Sequence, residues 1–233
     1  MSNVSRRTFV RRTGAAAAAL AVPGCDSLTG RLESRRASYS FFNADEAAFI
    51  EAAVARLIPA DDVGPGALEA DVPVFMDRQL GGAWGAGAGM YQSGPWHEVP
   101  AELGYQLPFT PAEVFRKAIR AINEELSESD AGPFADLEPG AQDDYLRVLE
   151  EDDRDLGGVP ANLFFDQLLQ LTVEGFFADP IYGGNRDMLA WKMVGFPGAY
   201  ANYYEFVDQY GIAFNRPPVS LAEGRGGALN RNV

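Results

Sequence analysis

The chain has 233 residues, of which 47% are apolar, and a net charge of −14. This length and apolar content predict one folded domain with tails and exclude an intrinsically disordered protein. Residues 1–24 carry four arginines and no acid, so the rest of the chain is more acidic still. Such acidity argues against nucleic acid or an anionic lipid surface as a partner of the folded part.

The chain contains one cysteine, Cys25, and one histidine, His97. No disulfide can form within the chain, and a Cys/His zinc site is excluded because it requires four ligands. Covalent haem attachment needs a Cys-x-x-Cys-His pattern, and iron–sulfur clusters need several cysteines. We therefore expect no metal, haem or other cofactor in this chain, and we expect His97 to be a surface or hydrogen-bonding residue.

The N-terminal segment, residues 1–24, resembles a twin-arginine export signal. Arg6 and Arg7 are followed two positions later by the apolar Phe9, and an apolar run extends from Ala15 to Val22. A membrane-spanning helix needs about 20 apolar residues, so this run suits a signal peptide instead. The pattern predicts export of the folded protein to the periplasm, through the twin-arginine translocase.

Two processing sites remain open at the end of this segment. Ala19-Leu20-Ala21 fits an ordinary signal-peptidase site, whereas Val22-Pro23-Gly24-Cys25 resembles a lipobox. The position of the only cysteine favours lipidation of Cys25, which would tether a soluble domain to the membrane. Residues 25–42 are then a linker, with the domain at 43–210 and an extended tail at 211–233.

Apolar residues at helical spacing predict most of the domain. Asn43 and Glu46 form a capping-box pattern before the first helix, which Pro59 ends. Further helices are predicted at 67–80, from Pro111 after the cap Thr110, and at 139–151, 161–177, 186–194 and 199–210. Pro73 predicts a first-turn kink in the helix at 67–80 or a split of it into two short pieces. The helix at 161–177 is apolar on nearly every side and should be central. The prediction is an all-α, irregular bundle of six or seven helices.

A long segment without periodicity, residues 81–109, interrupts these helices. Between Gly81 and Gly94 it holds six glycines, with Trp84, Met90, Tyr91 and Trp96 nearby. It lacks the spacing and βαβ context of a dinucleotide fingerprint. Two interpretations remain open: aromatic side chains that meet a partner, or aromatic side chains that fold back onto their own core.

The stretch Glu174–Gly198 combines aromatic residues with charges. Asp179-Pro180 should end the helix before it, because the residue before a proline is pushed out of the α region. Gly183 and Gly184 predict a turn, and Asn185 is expected to cap the next helix by accepting from an N–H two or three residues on. Gly195 and Pro197 should close that helix.

The charges in this stretch have two interpretations. Arg186 or Lys192 could pair with Glu174 or Asp179 and hold the two helices in register. Alternatively, these residues and Asp187 could contact a partner protein, with Arg186 binding a carboxylate. Tyr182, Trp191 and Phe196 are core residues or interface anchors. Nothing in the stretch predicts a catalytic residue.

These elements resemble the gluconate 2-dehydrogenase subunit 3 family. Glu-Gly-Phe-Phe, Asp-Pro-x-Tyr-Gly-Gly-Asn-Arg, Trp-Lys and Gly-Phe-Pro-Gly all occur between residues 174 and 198. Leu57-Ile58-Pro59, Gly66-Ala67 and the export signal extend the resemblance toward the N-terminus. Members are the small subunits of membrane-associated, flavin-dependent (GMC-type) sugar or sugar-acid dehydrogenases.

The resemblance implies a non-catalytic subunit in a heteromeric oxidoreductase complex. A large flavoprotein subunit would carry FAD, and a multihaem cytochrome c subunit, where present, would pass electrons to quinone. The small subunit would act as a chaperone in maturation and would carry the large subunit through export. Two alternatives remain: a free-standing exported lipoprotein that binds a small ligand through the glycine-rich loop, and an enzyme in its own right.

Overall fold

A computed structural model describes residues 39–97, 106–200, 204–212 and 216–222 of the chain. These residues form six α-helices and contain no β-strand. All of these residues fall in one unit of the chain, Ser38–Val233. The predicted all-α class is therefore confirmed. The helices are α1 Ala44–Leu57, α2 Val72–Leu80, α3 Pro111–Glu128, α4 Pro139–Glu151, α5 Ala161–Phe177 and α6 Leu189–Val194.

Capping boxes start two of these helices where the sequence predicts them. Before α1, the Asn43 side chain accepts from the Glu46 N–H at 2.9 Å, and the Glu46 carboxylate accepts from the Asn43 N–H at 3.0 Å. Thr110 and Glu113 repeat this exchange before α3, with Pro111 in the first position. These local hydrogen bonds satisfy backbone donors that a helix N-terminus leaves without partners.

The second helix is shorter than the predicted segment 67–80. It begins at Val72, with Pro73 in its first turn, where a missing N–H costs little. Asp71 before it has φ +60°, a left-handed conformation that separates the helix from the turn preceding it. The predicted segment is thus a turn at 67–71 followed by one helix.

The fifth helix is central, as its apolar sequence predicts. It packs against each of the other five helices. The Phe164 ring lies 6.0 Å from that of Phe49 on α1 and 5.3 Å from that of Phe115 on α3. All three side chains are fully buried, so this aromatic cluster joins α1, α3 and α5 at the core.

Asp77 on α2 anchors the residues that enter the domain. Its buried carboxylate accepts four hydrogen bonds of 2.9–3.0 Å, from the N–H groups of Ser40, Phe41 and Phe42 and from the Ser40 hydroxyl. The Arg116 guanidinium also lies 4.3 Å from the centre of the Phe41 ring. Residues 39–42, which the sequence assigns to the linker, are therefore packed against α2 and α3.

A bidentate ion pair joins α1 to α4. The Arg56 Nε and Nη2 atoms each lie 2.7 Å from one carboxylate oxygen of Asp143. These hydrogen bonds hold the pKa of the Asp143 carboxyl below its usual value. The pair is partly exposed, so it fixes the geometry of the two helices more than it stabilises them.

The predicted helix at 199–210 is wrong. Ala199 and Tyr200 are not helical, and a single 3₁₀ turn, Tyr204–Phe206, is the only helical piece among the described residues of that segment. Ala199 instead donates its N–H to the Val219 carbonyl at 2.7 Å. Tyr204, Val207 and Tyr210 are exposed, so the described residues of this segment offer no buried apolar face that would stabilise a helix.

Candidate partner interface

The motif Glu174–Gly198 begins in the last turn of α5, which ends at Phe177. Asp179 lies in extended conformation before Pro180, as predicted, and its Oδ1 accepts from the Ile181 N–H at 3.0 Å. This side chain caps the 3₁₀ turn Pro180–Tyr182. The chain thereby reverses at the end of the central helix.

Two glycines complete the reversal for different reasons. Gly183 has φ +111°, which side-chain-bearing residues rarely adopt. Gly184 has an ordinary φ, but a Cβ there would overlap the carbonyl oxygen of Gly175 on α5. Gly175 in turn leaves only 2.8 Å between a hypothetical Cβ and the Phe75 ring of α2. Helix α5 therefore packs closely between α2 and the turn at Gly184, because neither Gly175 nor Gly184 has a side chain at these contacts.

Asn185 is the central polar residue of the motif, with 0% exposure. Its amide nitrogen donates to the Ala178 carbonyl at 2.9 Å, and its Oδ1 accepts from the Ala190 N–H at 2.9 Å. The cap thus acts five residues ahead, not two or three as predicted. The difference arises because Asn185, Asp187 and Met188 all have positive φ, in and around the 3₁₀ turn Arg186–Met188 that precedes α6.

The predicted pairing of Arg186 or Lys192 with Glu174 or Asp179 is wrong. The Arg186 Nε lies 3.7 Å from an Asp71 oxygen and 3.6 Å from an Asp187 oxygen. Its backbone N–H donates to the Ala70 carbonyl at 3.1 Å. Arg186 therefore ties the motif to the turn before α2.

The predicted carboxylate partners are engaged elsewhere. Exposed Glu174 accepts from the Gln170 side chain at 2.8 Å, one turn earlier on α5. Buried Asp179 uses its second oxygen to accept from the Leu221 N–H at 2.7 Å. Lys192 is exposed and makes no ion pair with either carboxylate, all three residues being described.

Trp191 joins α6 to the end of α5. Its Nε1–H donates to the Phe177 carbonyl at 2.8 Å, and its buried ring lies 5.1 Å from the ring of Phe196. Gly195 ends α6 with φ +71°, and the Phe196 N–H returns to the Trp191 carbonyl at 2.8 Å. The predicted glycine cap is confirmed, and Trp191 is a core residue.

The C-terminal tail packs onto the motif, which the sequence did not predict. The Val219 N–H donates to the Pro197 carbonyl at 3.1 Å, and Val219 also accepts from Ala199. Together with the bond from Leu221 to Asp179, these contacts hold residues 219–221 against both ends of the motif. The tail sequence carries no signal for this position, because its hydrogen bonds use backbone groups.

The outer surface of α5, the turn after it and α6 exposes many apolar side chains. We call this surface the α5–α6 apolar face. Its members are Leu169, Val173, Phe177, Ile181, Tyr182, Met193, Val194 and Phe196. Exposed polar residues lie among or beside them: Asp166, Gln170, Glu174, Asp187 and Lys192. The motif thus divides into an inner set of satisfied polar groups and an outer set of apolar and charged ones.

The glycine-rich loop is packed against the domain in its first part and exposed in its second. Gly85 is buried against the Leu80 carbonyl, and its own carbonyl accepts from the Ala112 N–H at 3.1 Å. Tyr91 and His97 are exposed, whereas Trp96 is half-buried. The segment 98–105 of the predicted loop lies outside the described residues. The first part of this loop therefore folds back onto the domain and Tyr91 does not.

A cleft of about 500 Å³ lies elsewhere, between the start of α1 and α3. Its lining includes Asn43, Glu46, Arg116 and Glu124, and none of its lining residues belongs to the glycine-rich loop. Among the described ranges, no cluster of His, Cys, Asp or Glu could hold a metal ion. No described helix is both long enough and apolar enough to cross a membrane. Arg6, Arg7 and Cys25 lie outside the described residues.

Comparison with known proteins gives one match. The family model described as gluconate 2-dehydrogenase subunit 3 matches residues 44–198. The matched range begins with α1 and ends with the Gly-Phe-Pro-Gly element, so it contains all six helices. No curated protein matches the chain, and no solved structure matches it.

Proposed function

This chain belongs to the gluconate 2-dehydrogenase subunit 3 family, and from that premise we propose that it is the non-catalytic small subunit of a flavin-dependent sugar or sugar-acid dehydrogenase complex. The catalytic partner is a large GMC-type flavoprotein subunit that holds FAD. A cytochrome c subunit with several haems is a further partner for electron transfer to quinone. The small subunit assists maturation of the large one, accompanies it in export and tethers it to the membrane.

The observation that carries this proposal is the α5–α6 apolar face. Eight large apolar side chains are exposed in and around one motif of this domain. Contiguous apolar surface of this kind marks interaction sites, because water-exposed apolar area is unfavourable in a free monomer. Leu, Val, Phe, Tyr and Met side chains would form the apolar centre of a protein interface.

The polar groups of the motif support a structural role over catalysis. The Asn185 amide and both Asp179 oxygens form hydrogen bonds with backbone groups of the same domain. General acid–base catalysis instead needs a group directed at a substrate. These side chains hold an irregular backbone in place behind the exposed face.

Export and tethering rest on the sequence of the N-terminal segment. The twin-arginine pattern at Arg6 and Arg7 suits export of a folded complex, and this would bring a partner without its own signal across the membrane. A lipidated Cys25 would then hold the complex at the periplasmic side of the membrane. The short linker 26–38 would separate this anchor from the docked residues 39–42.

Co-expression with an affinity-tagged large subunit tests the proposal. We expect the two chains to purify together and the flavin and dye-reducing activity to belong to the complex. Expressed alone, the small subunit should show no flavin absorbance and should be poorly soluble, because its apolar face is uncovered. A flavin spectrum with dehydrogenase activity from the isolated small chain would overturn the proposal.

Export is tested separately with an Arg6→Lys, Arg7→Lys double variant. We expect both subunits to remain in the cytoplasm in a folded, active complex. The matched control is Arg11→Lys with Arg12→Lys, which changes two arginines outside the pair. Periplasmic activity of the first variant would contradict the escort role, and mass analysis of the wild-type complex would report the acyl state of Cys25.

A further inference from the structure

We propose that the α5–α6 apolar face is the surface on which the catalytic flavoprotein subunit docks, and that the matching surface of that subunit is apolar at its centre with a basic rim. The inference rests on the proposed function, which supplies the partner. It goes further by naming the catalytic subunit, among the proposed partners, as the one that covers this face. It also states the chemistry that this face requires of the partner.

The first argument is the spacing of apolar residues on α5. Leu169, Val173 and Phe177 follow each other at intervals of four residues and therefore share one stripe of the helix. They are 37%, 42% and 40% exposed. The opposite side of α5 is already buried in the core. A helix that carries a second apolar stripe toward solvent has a face left to cover.

The second argument is continuity across the motif. The Trp191 indole binds the Phe177 carbonyl and packs against the Phe196 ring, which brings the end of the stripe next to the residue that follows α6. Met193 lies beside Gly64, where a Cβ would be 2.6 Å from its sulfur atom. The exposed Val63 is the neighbour of Gly64 along the chain. These contacts connect the end of α5, the α6 region and the segment around Gly64.

The third argument is preorganisation. The backbone behind the face is fixed by the buried Asn185 amide, by the close approach of Gly184 to Gly175 and by the hydrogen bonds of Asp179. A surface that is ordered before association loses little conformational entropy on binding. The density of hydrogen bonds behind the motif is explained if its outer shape must match a partner.

The fourth argument is charge. Three exposed acids, Asp166, Glu174 and Asp187, stand among or beside the apolar residues. Arg186 lies 3.6 Å from Asp187 and Lys192 is also exposed, whereas Asp166 and Glu174 form no ion pair with another described residue. The whole chain has a net charge of −14. Acidic groups around an apolar centre favour a partner surface with arginine or lysine at the corresponding rim, which also speeds the encounter. This complementarity identifies the partner surface by its chemistry.

The direct test is Val173→Asp in the co-expressed complex, with Val148→Asp as the matched control. Both valines lie in helices, and they are 42% and 43% exposed. We expect Val173→Asp to weaken binding of the large subunit about tenfold or more, as for a residue at an interface centre. Val148→Asp, on α4, should bind like the wild type. Circular dichroism and thermal unfolding of both variants verify that the fold is kept.

A second variant tests the rim. Glu174→Arg should slow association with the large subunit and reduce the dependence of the association rate on salt, because it removes an attraction to basic groups. Glu150→Arg on the exposed side of α4 is the control and should have little effect. An association rate that rises in Glu174→Arg would overturn the basic rim.

The outcomes separate this inference from the proposed function. If the wild-type chains do not associate at all, the proposed function fails. If they associate and Val173→Asp binds as tightly as the wild type, the docking face is wrong while the subunit role stands. Loss of binding in Val148→Asp alone would place the contact on α4. A wild-type homodimer that Val173→Asp converts to monomers would show that a second copy covers the face, which also overturns the inference.

Discussion

Two regions of this domain are rich in glycine and aromatic residues, yet they differ in how their backbone is held. In the motif, Gly184 lies against a carbonyl of α5 and Asn185 is 0% exposed. In the loop 81–97, Gly85 also packs against a carbonyl, but the second half differs: a Cβ at Gly89 would have no heavy atom within 4 Å, and Tyr91 is 80% exposed. Regions of similar composition thus have a closely packed backbone in the motif and a less closely packed one in the second half of the loop.

The difference lies in buried polar groups. An irregular backbone leaves N–H and C=O groups without helical or sheet partners, and these groups must be satisfied if they are buried. Asn185 and Asp179 supply that satisfaction within the motif. The second half of the loop is exposed, so this requirement does not apply to it. Matched substitutions in the two regions test whether their contributions to the stability of the fold differ.

The largest effect is expected from Asn185→Ala. The change leaves the Ala178 carbonyl and the Ala190 N–H without their side-chain partner in a buried position, which costs about 2–6 kcal/mol for the two groups. Gln92→Ala, in the loop, should change the free energy of unfolding by less than about 0.5 kcal/mol. Thermal or urea unfolding of the purified chains measures both. Equal losses would mean that the motif is no more tightly built than the loop.

A smaller effect is expected from Gly184→Ala. The added methyl group meets the backbone of Gly175, which cannot rotate away, so overpacking should destabilise the fold by about 3 kcal/mol. Gly89→Asn introduces a larger side chain into open space, at a left-handed position that asparagine tolerates, and should cost less than about 1 kcal/mol. Urea titration gives both values. A smaller loss in Gly184→Ala than in Gly89→Asn would contradict the close packing of the turn on α5.

The smallest effect is expected from Trp191→Phe. The substitution removes the indole donor to the Phe177 carbonyl while retaining an aromatic ring, so we expect a loss of about 1 kcal/mol. Trp84→Phe in the partly exposed loop should stay within about 0.5 kcal/mol of the wild type. The midpoints of thermal unfolding report the difference. A neutral Trp191→Phe would show that this bond does not hold α6 to α5.

Local signals in the sequence predicted the helices well. Asn43 with Glu46, Thr110 with Glu113, Pro180 and Gly195 each act on a backbone group within a few residues, so their effect can be read from spacing. The apolar stripe of α3 is likewise a local pattern. The residues that form it are buried: Val114, Phe115, Ala118, Ile119, Ile122 and Leu126. These features determined the fold class.

Contacts between distant residues could not be read in the same way. The Asp77 carboxylate binds residues 35 to 37 positions earlier in the chain, and Asp179 binds Leu221, 42 positions later. Arg186 had several carboxylates of equal chemical suitability, and only the fold brings Asp71 to it. The cap at Ala190 depended on left-handed residues whose conformation no spacing rule specifies.

The docking of residues 40–42 on Asp77 has a mechanical consequence. A force that pulls on the chain from its N-terminal side meets Tyr39, whose hydroxyl donates to Glu51 of α1 at 3.0 Å, and then the carboxylate on α2, which holds the next three residues through four hydrogen bonds acting together. On the same helix, Phe75 lies against Gly175 of the central helix. A pulling force is thus borne by contacts with the core, and less of it reaches the capped start of α1 at Asn43.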